Sequence, residues 1–376
     1  MAGLYVHIPF CRKLCYYCDF HFTVSLKWKD RLFGDLLREI RSRANEGKDM
    51  EFDTLYFGGG TPSVLSPGQV QELIDTLREH YIVKGGAEIS FEANPDDLSG
   101  EYLRSLKETT AVNRLSIGIQ AFQDKHLDFL NRRHTAKESL QCIERTLARG
   151  YENLNVDLIY GIPGMNQNEW QENLNTIDYY HIPHLSAYHL SFEPKTVLTN
   201  YLKKGKIHAV DEEISVAQYN LLTDFAESKG YDNYEISNFA LESRYSRHNL
   251  GYWTGKYYLG FGPSAHSYNG TYRRWNLANN SLYMQEIESG SDKYFDEEFI
   301  DKRKAFNEYL LTALRTKWGI DMEYIEEKFG PSKKKNCLEK IDRFRNEELF
   351  IESGTRYSLN RKGRFISDYI ISELMV

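Results

Sequence analysis

Short β-type runs alternate with segments of helical period through the first half of this 376-residue chain. Between the runs, apolar residues recur at helical spacing, as at Leu32, Leu36 and Ile40, and Thr135 with Glu138 forms a capping box. Repeated β–α units favour a parallel sheet with right-handed crossovers. The alternation therefore restricts this half of the chain to an α/β fold of six units. The candidate strands cover residues 4–8, 54–57, 88–92, 114–119, 153–159 and 185–190.

Polar or glycine-rich features lie at, or just beyond, the end of each candidate strand. In chain order they are a cysteine-containing loop, glycines 58–60, Glu92, Gln120, Asp157 and Ser191. Ligands of parallel sheets gather beyond the carboxyl ends of the strands. We therefore expect one shared site at that end of a partial six-unit barrel, (βα)6, which is open on one side.

Three cysteines form a C-x3-C-x2-C triplet at Cys11, Cys15 and Cys18, directly after the first candidate strand. Soft thiolate ligands suit iron–sulfur clusters, and three of them can hold three irons of a cubane while the fourth iron stays open to a non-protein ligand. A structural zinc site is the alternative, for which His7 or His21 is available as the fourth ligand. An open cluster predicts chemistry or ligand exchange, whereas a closed zinc site predicts a structural role.

The composition gives the chain no strong preference for a class of partner. Charged residues make up 27% of it and the formal net charge is -7, so no global basic field attracts nucleic acid. No apolar run approaches the ~20 residues of a membrane helix and no leader peptide is visible, which predicts a cytoplasmic protein. Five cysteines, two of them isolated at Cys142 and Cys337, do not form a disulfide framework. A peripheral contact with a membrane stays open.

The second half of the chain divides into two regions by its pattern. A long helix near residues 211–228 is followed by a stretch rich in Tyr, Trp, Gly and Asn at 231–275. The last segment has helical periods, then a short hairpin that turns at Gly354, then a final helix, an order typical of a winged-helix module. We expect a barrel domain at 1–195, an α+β extension at 196–300 and a winged-helix-like C-terminal domain at 301–376.

The cysteine triplet, with Tyr17 just before the third cysteine, resembles the radical S-adenosylmethionine (SAM) superfamily. The longer strings 7–11 and 18–20 are similar to the branch that holds the oxygen-independent coproporphyrinogen III oxidases (HemN) and the HemW-type haem chaperones. This resemblance implies a [4Fe-4S] cluster on the three cysteines, with SAM bound to the open iron. It covers essentially the whole chain and agrees with the barrel expected from the strand pattern.

The same resemblance implies which residues contact SAM. The chemistry is compatible, because glycines allow a ligand close to the main chain and an arginine pairs with a carboxylate. Whether these residues serve one SAM molecule or two stays open. Carried over residue by residue, the pattern falls on Tyr5, Tyr17, Gly59, Gly60, Thr61, Glu92, Gln120, Arg132 and Asp157, with Ser191 and His266 as further contacts.

A second motif, His248-Asn249-x-x-Tyr252-Trp253, matches a string associated with haem binding in HemW-type proteins. The resemblance implies that His248, Tyr252 and Trp253 bind haem. A neutral imidazole is a common axial ligand of haem iron, and aromatic rings can cover a porphyrin face. His266 is the second candidate for the axial ligand.

Two features separate the chaperones from the oxidases within this branch. Phe20 stands where the oxidases have a further cysteine, and the first strand starts without the extension that precedes it in the oxidases. We therefore expect a haem chaperone, which passes haem to an acceptor protein such as one of the respiratory chain. Whether it also cleaves SAM as an enzyme stays open, although coproporphyrinogen conversion is not expected. Radical decarboxylation of coproporphyrinogen III is the alternative, and specific nucleic-acid binding is not expected. A monomer and a homodimer are both compatible with the sequence.

Overall fold

The computed structural model, which describes residues 2–241 and 243–376, contains a barrel of six parallel strands. Each strand pairs in parallel with the next one along the chain. All six predicted strands overlap the observed ones, so the α/β fold with a partial barrel is confirmed. The barrel strands are β1 (Ala2–Ile8), β2 (Glu51–Gly59), β3 (Ile82–Ala93), β4 (Arg114–Gln120), β5 (Leu154–Tyr160) and β6 (His184–His189).

Helices cover the outer face of the barrel. Leu36 and Ile40 of the first helix are buried in the main apolar core, as their spacing predicts. The predicted capping box is present, because the Thr135 side chain accepts a hydrogen bond from the Glu138 N–H and the Glu138 carboxylate accepts one from the Thr135 N–H. These helices are α1 (Lys29–Ser42), α2 (Pro67–His80), α3 (Gly100–Thr109), α4 (Asp124–Phe129), α5 (Ala136–Ala148) and α6 (Gln167–Tyr179).

The sheet continues past both sides of the barrel to a total of twelve strands in the described chain. Strand β9 (Tyr257–Phe261) pairs in parallel with β1, and β8 (Asn238–Ala240) pairs antiparallel with β6, so neither β1 nor β6 is an edge strand. The expected α+β extension therefore adds to the barrel sheet, and the domain boundaries at 195 and 300 stay predictions. The added strands are β7 (Asp232–Asn233), β8 (Asn238–Ala240), β9 (Tyr257–Phe261), β10 (His266–Tyr268), β11 (Tyr272–Asn276) and β12 (Phe295–Phe299).

A buried ion pair fastens this extension to α1. Arg43 donates from one nitrogen to Glu39 at 2.9 Å and to the Gly260 carbonyl at 2.6 Å. Glu39 also accepts from the Tyr283 hydroxyl at 2.6 Å and the Gly262 N–H at 2.7 Å. Because breaking a buried pair leaves an uncompensated charge, the network holds the extension on the barrel. The helices of the extension are α7 (Val197–Lys203), α8 (Glu212–Lys229), α9 (Arg247–Trp253) and α10 (Asn280–Ser289).

The C-terminal region has its own apolar cluster, which includes Phe306, Ile325 and Ile371. A hairpin of β14 (Phe350–Ser353) and β15 (Arg356–Leu359) turns at Gly354 and is followed by the last helices, and β13 (Ile320–Asp321) pairs with β15, which confirms the winged-helix-like order. No helix of the described residues is both long and apolar enough to cross a bilayer. The elements are α11 (Lys302–Ala313), β13 (Ile320–Asp321), α12 (Met322–Phe329), α13 (Pro331–Arg343), β14 (Phe350–Ser353), β15 (Arg356–Leu359), α14 (Arg361–Phe365) and α15 (Ser367–Leu374).

Side chains along each barrel strand alternate between the helix-covered face and the concave face of the sheet. On β1, Leu4 and Val6 belong to the apolar core. Tyr5 and His7 point to the other side, and Tyr5 lies opposite Tyr56 of β2 in the sheet register. Every second residue of each barrel strand therefore points to the concave face.

Candidate functional site

A cavity of about 400 Å³ opens on the concave face at the carboxyl ends of the barrel strands. The predicted shared site is therefore one continuous space, and its volume is within the range of ligand pockets. The predicted residues that line it are Cys11, Cys15, Tyr17, Cys18, Gly59, Gly60, Thr61, Glu92, Gln120, Arg132, Asp157 and Ser191. The predicted residues outside its lining are Tyr5, His248, Tyr252, Trp253 and His266.

The cysteine loop lies at the rim of this cavity and is held by its backbone. The Cys11 N–H donates to the Thr23 carbonyl at 3.0 Å, and the Cys18 N–H donates to the Cys15 carbonyl at 3.3 Å. Burial raises the pKa of the Cys11 thiol to about 11 and that of Cys18 to about 12. These thiols therefore need nearby donors or metal to ionise.

Hydrogen-bond donors approach the cysteine sulfur atoms, and that of Cys18 accepts from the Phe20 backbone. The Thr61 hydroxyl donates to Cys11 Sγ at 3.3 Å, and an Arg132 nitrogen donates to Cys15 Sγ at 3.3 Å. Donors of this kind favour thiolates and tune the potential of iron–sulfur clusters. The cysteine loop and its surroundings therefore fit a cluster held by three thiolates.

The two histidines considered as zinc ligands are engaged in other contacts. His7 Nδ1 lies 3.0 Å from the Tyr5 hydroxyl, and its Nε2 lies 2.9 Å from the His21 carbonyl. His21 Nε2 lies 2.7 Å from Asn280 Oδ1. Within the described part of the chain, no group of three His, Cys, Asp or Glu side chains is placed to hold a single metal ion. The contacts of His7 and His21 disfavour the zinc alternative.

The glycine run packs against the end of β1 and Phe10 more closely than a larger residue allows. The Gly60 N–H donates to the Ile8 carbonyl at 2.9 Å, and a Cβ at Gly60 would lie 2.8 Å from the Phe10 carbonyl oxygen. Gly59 has a φ of 108°, and a Cβ there would lie 2.6 Å from the His7 ring. These glycines are required by the close packing at the ends of β1 and β2, and they also leave the main chain open toward the cavity.

Glu92 is a buried carboxyl group on the cavity wall. The Tyr56 hydroxyl donates to one of its oxygens at 2.7 Å, and the Gly59 N–H donates to the other at 3.2 Å. Burial raises the pKa of Glu92 to about 7, and the nearby charge of Asp157 acts in the same direction. Glu92 therefore titrates near neutral pH, and its ionised form can accept a hydrogen bond from a ligand ammonium or hydroxyl group.

Arg132 is a buried cation between the cysteines and the strand ends. It donates to Asn94 Oδ1 at 2.6 Å, to the Gly118 carbonyl at 2.5 Å and to the Tyr17 hydroxyl at 3.4 Å. None of its acceptors in the described chain is a carboxylate, and its Nε is buried without a partner there. Because a buried charge is costly unless it is compensated, this guanidinium fits an anionic ligand.

A polar floor that the sequence reasoning missed surrounds Asp157. Asn155 donates to Asp157 at 2.7 Å and to the Ser186 hydroxyl at 2.9 Å, and His184 Nε2 lies 2.8 Å from the Tyr234 hydroxyl. Burial raises the pKa of Asp157. The inward positions recur at every second residue of β5 and β6, so the strand alternation was the signal that could have located them.

The His-Asn-x-x-Tyr-Trp string forms α9, which packs on the concave face nearer the amino ends of β1 and β2. His248 is only 3% exposed. Its Nδ1 lies 2.8 Å from the Thr54 hydroxyl, and its Nε2 lies 2.8 Å from the Tyr252 hydroxyl. Its ring packs on Tyr56 at a centroid distance of 5.0 Å, and burial lowers its pKa to about 3. Both ring nitrogens of His248 are therefore occupied by protein groups.

The remaining predicted residues are Tyr5 and Trp253, which lie beside or within α9, and His266, which lies on β10. Asn249 lines the cavity from the side of the helix, and Tyr5 packs against the His248 ring at a centroid distance of 6.3 Å. Trp253 is half-buried at the end of α9, whereas His266 is exposed at the start of β10. The two candidate haem ligands are therefore in different environments.

The fold and the site define a radical SAM protein. The Radical SAM superfamily profile matches residues 5–177, and the HemN C-terminal domain profile matches residues 300–366. The chain is 35% identical over 336 residues to the heme chaperone HemW of Bacillus subtilis (strain 168), which covers 88% of each protein. It is 32% identical over 373 residues to the heme chaperone HemW of Lactococcus lactis subsp. lactis (strain IL1403), with 99% of this chain and 97% of that relative covered. The chain belongs to the HemW heme chaperone family.

A solved structure shares the whole architecture. Coproporphyrinogen III oxidase (HemN) from Escherichia coli, a radical SAM enzyme, has a TM-score of 0.85 over 99% of this chain and 89% of that one, at 23% identity. This likeness shows the fold alone. The expected family and fold are confirmed, and superfamily membership implies a [4Fe-4S] cluster and SAM as cofactors. The individual cluster, SAM and haem ligands stay predictions.

Proposed function

We propose that this protein is a haem chaperone, which binds haem and transfers it to an acceptor protein. We further propose a [4Fe-4S] cluster on three cysteines with SAM on the open iron. The observation that carries the proposal is the cavity in which the cysteine loop, a buried arginine and a carboxyl group of raised pKa meet. Membership of the HemW family gives that cavity its expected context.

Cys11, Cys15 and Cys18 would hold the cluster. When bound, the cluster and SAM supply one-electron redox chemistry at the open iron. The chain contributes donors that favour ionised sulfur, from the Thr61 hydroxyl to Cys11 and from Arg132 to Cys15. These donors oppose the effect of burial, which by itself keeps the thiols protonated.

SAM carries an ammonium, a carboxylate and ribose hydroxyls, and the cavity wall offers a partner for each. Ionised Glu92 would accept from the ammonium, and Arg132 would pair with the carboxylate. Asp157 and the polar floor around it would accept from hydroxyl groups. The cavity is within the size range of ligand pockets, and whether it holds one SAM molecule or two stays open.

The proposal that the protein binds haem and passes it to an acceptor is based on the family, whereas the cavity supports only the cluster and SAM. The curated relatives are named as heme chaperones, and the resemblance implies an acceptor such as a protein of the respiratory chain. We place the transfer in the cytoplasm, with no nucleic-acid partner. A monomer and a homodimer both stay compatible with the proposal.

Anaerobic reconstitution followed by two assays tests this function. We expect about four irons per chain, SAM binding at the reconstituted site, uptake of haem, and no conversion of coproporphyrinogen III. A reconstituted chain that takes up no haem would contradict the chaperone. Conversion of coproporphyrinogen III to protoporphyrinogen would replace the chaperone with the oxidase.

A further inference from the structure

His248 lies on a row of residues that crosses three neighbouring strands. In the parallel register Gly3 of β1 is opposite Thr54 of β2, and Thr54 is opposite Glu88 of β3. Side chains at paired positions of neighbouring strands point to the same face of a sheet. We call Gly3, Thr54 and Glu88 the His248 seat, because each of them accommodates a different part of this histidine.

Glu88 holds the main chain of His248. Its buried carboxylate accepts a hydrogen bond from the Arg247 N–H at 2.9 Å and from the His248 N–H at 3.3 Å. The first N–H groups of a helix have no partner within the helix, and a carboxylate at that end also suits the helix dipole. The Ser246 side chain adds the N-cap bond, which it accepts from the Asn249 N–H. The start of α9 is therefore fixed to β3.

Thr54 and Gly3 enclose one edge of the imidazole ring. The Thr54 hydroxyl lies 2.8 Å from His248 Nδ1. A Cβ at Gly3 would lie 2.9 Å from Cε1 of the same ring, which is closer than Cβ atoms normally come to a neighbour. Nδ1 therefore faces the sheet. Nε2 lies on the other side of the ring, 2.8 Å from the hydroxyl of the half-buried Tyr252, and is the nitrogen that a ligand can reach.

The two hydroxyl groups beside the ring differ in their strength as donors. A neutral imidazole has one N–H donor and one acceptor nitrogen, so one hydroxyl accepts from the ring and the other donates to it. A tyrosine hydroxyl, with an ordinary pKa of about 10, is more acidic than a threonine hydroxyl and is the better donor. This difference favours the tautomer of His248 in which Nδ1–H donates to Thr54 and the lone pair of Nε2 accepts from Tyr252.

We propose that the His248 seat presents Nε2 of His248 to haem iron, so that Gly3, Thr54 and Glu88 are positioning residues for this predicted ligand. The proposal rests on the proposed function, since it assumes that the chain carries haem. Histidines that bind metal usually donate their second ring N–H to an oxygen of the protein, which fixes the tautomer and the orientation of the ring. Thr54 supplies that oxygen here. Haem binding then displaces the Tyr252 hydroxyl from Nε2, whereas the contacts of the seat stay in place.

Haem titration of the full-length protein tests the contact with Thr54. Thr54→Val keeps the shape of the side chain but removes the hydroxyl, and we expect it to weaken haem binding on the order of 10- to 100-fold, as the loss of an outer partner of a metal ligand does. The electron paramagnetic resonance of the ferric complex reports the axial imidazole and should shift as well. Thr54→Ser, which keeps the hydroxyl, should restore both. Thr223→Val is the matched control, because it removes the hydroxyl bonds of another buried threonine and should change neither.

A second variant tests which ring nitrogen is presented. Tyr252→Phe removes the hydroxyl that occupies Nε2, and since haem binding no longer breaks that hydrogen bond, we expect haem affinity to rise about 3- to 10-fold with the imidazole resonance retained. No gain in affinity in Tyr252→Phe, or an unaltered affinity and resonance in Thr54→Val, would overturn the assignment. If the unaltered protein takes up no haem at all, the proposed function itself fails, whereas haem uptake that is indifferent to Thr54 removes only the role of the seat.

Discussion

The cavity at the carboxyl ends of the strands and helix α9 near their amino ends share one concave face, but they differ in how their polar groups are satisfied. In the cavity, Arg132 has a buried Nε without a partner in the described chain, and the pKa of Glu92 is raised to about 7. In α9, His248 has a partner on each ring nitrogen and is 3% exposed. The first region is incomplete without a ligand, whereas the second is complete.

This difference helps to tell a polar site that needs a ligand from a polar site whose groups the protein itself satisfies. Buried polar groups are nearly always hydrogen-bonded, so an unpartnered one calls for an explanation such as an absent ligand. Raised carboxyl pKa values also concentrate at functional sites. A buried imidazole with a partner on each nitrogen meets neither criterion, so the part of His248 in haem binding stays a prediction.

The largest expected effect concerns the cysteine loop, and it tests whether the cavity holds a cofactor as the comparison with α9 implies. Cys15→Ala should abolish formation of the [4Fe-4S] cluster, because two thiolates cannot hold three corners of a cubane. Iron and sulfide content after anaerobic reconstitution measures this. Cys337→Ala removes a buried thiol from the C-terminal cluster and is the control, expected to bind iron as the unaltered chain does. A full cluster in Cys15→Ala would contradict the ligand assignment.

The next prediction concerns the opposite region. His248→Ala removes a buried ring and two hydrogen bonds, and should lower the free energy of unfolding by about 3 to 5 kcal/mol. Chemical denaturation of the cofactor-free protein measures the loss. A cost below about 1 kcal/mol would break the comparison, since it would mean that α9 is not held by this residue.

Much of the site was predictable because the chemistry sits at strand ends. Glu92, Gln120 and Asp157 were located from the position of each residue relative to a candidate strand, and the structure brings all three to one cavity. Parallel strands direct their carboxyl ends to the same side, so a local pattern was enough to predict a tertiary arrangement.

The sequence could not predict the environment of α9 or the extent of the sheet. The string around His248 shows suitable residue types, but burial by Tyr56 and the bond to Thr54 depend on contacts between residues nearly 200 positions apart. The pairing of β9 with β1 joins residues that are even further apart in sequence. Periodicity describes one segment at a time and does not specify which distant segment covers it.

Glu92 offers a pH test of the cavity. A carboxyl group whose folded pKa is raised contributes stability that is present below its unfolded pKa and is lost as the pH rises through the folded value. With a pKa of about 7 against the ordinary 4.5, unfolding becomes easier by about 3 kcal/mol between pH 4.5 and pH 8. Glu92→Gln should remove this loss, so the variant gains stability over the unaltered chain as pH rises. Glu79→Gln, at an exposed position, should show no such trend. A stability difference for Glu92→Gln that does not change with pH would contradict a buried, titrating carboxyl group.

The smallest expected effect is at Tyr252 and isolates one hydrogen bond of α9. Tyr252→Phe keeps the ring but leaves His248 Nε2 without its partner, which should cost about 1.5 kcal/mol of unfolding free energy. Tyr179→Phe, at a side chain that is 76% exposed, should change stability by less than about 0.5 kcal/mol. Since neither hydroxyl lines the cavity, SAM affinity after reconstitution should be the same in both variants. Reduced SAM binding in Tyr252→Phe alone would show that α9 and the cavity act as one unit, and the contrast between a ligand site and a packed helix would then no longer hold.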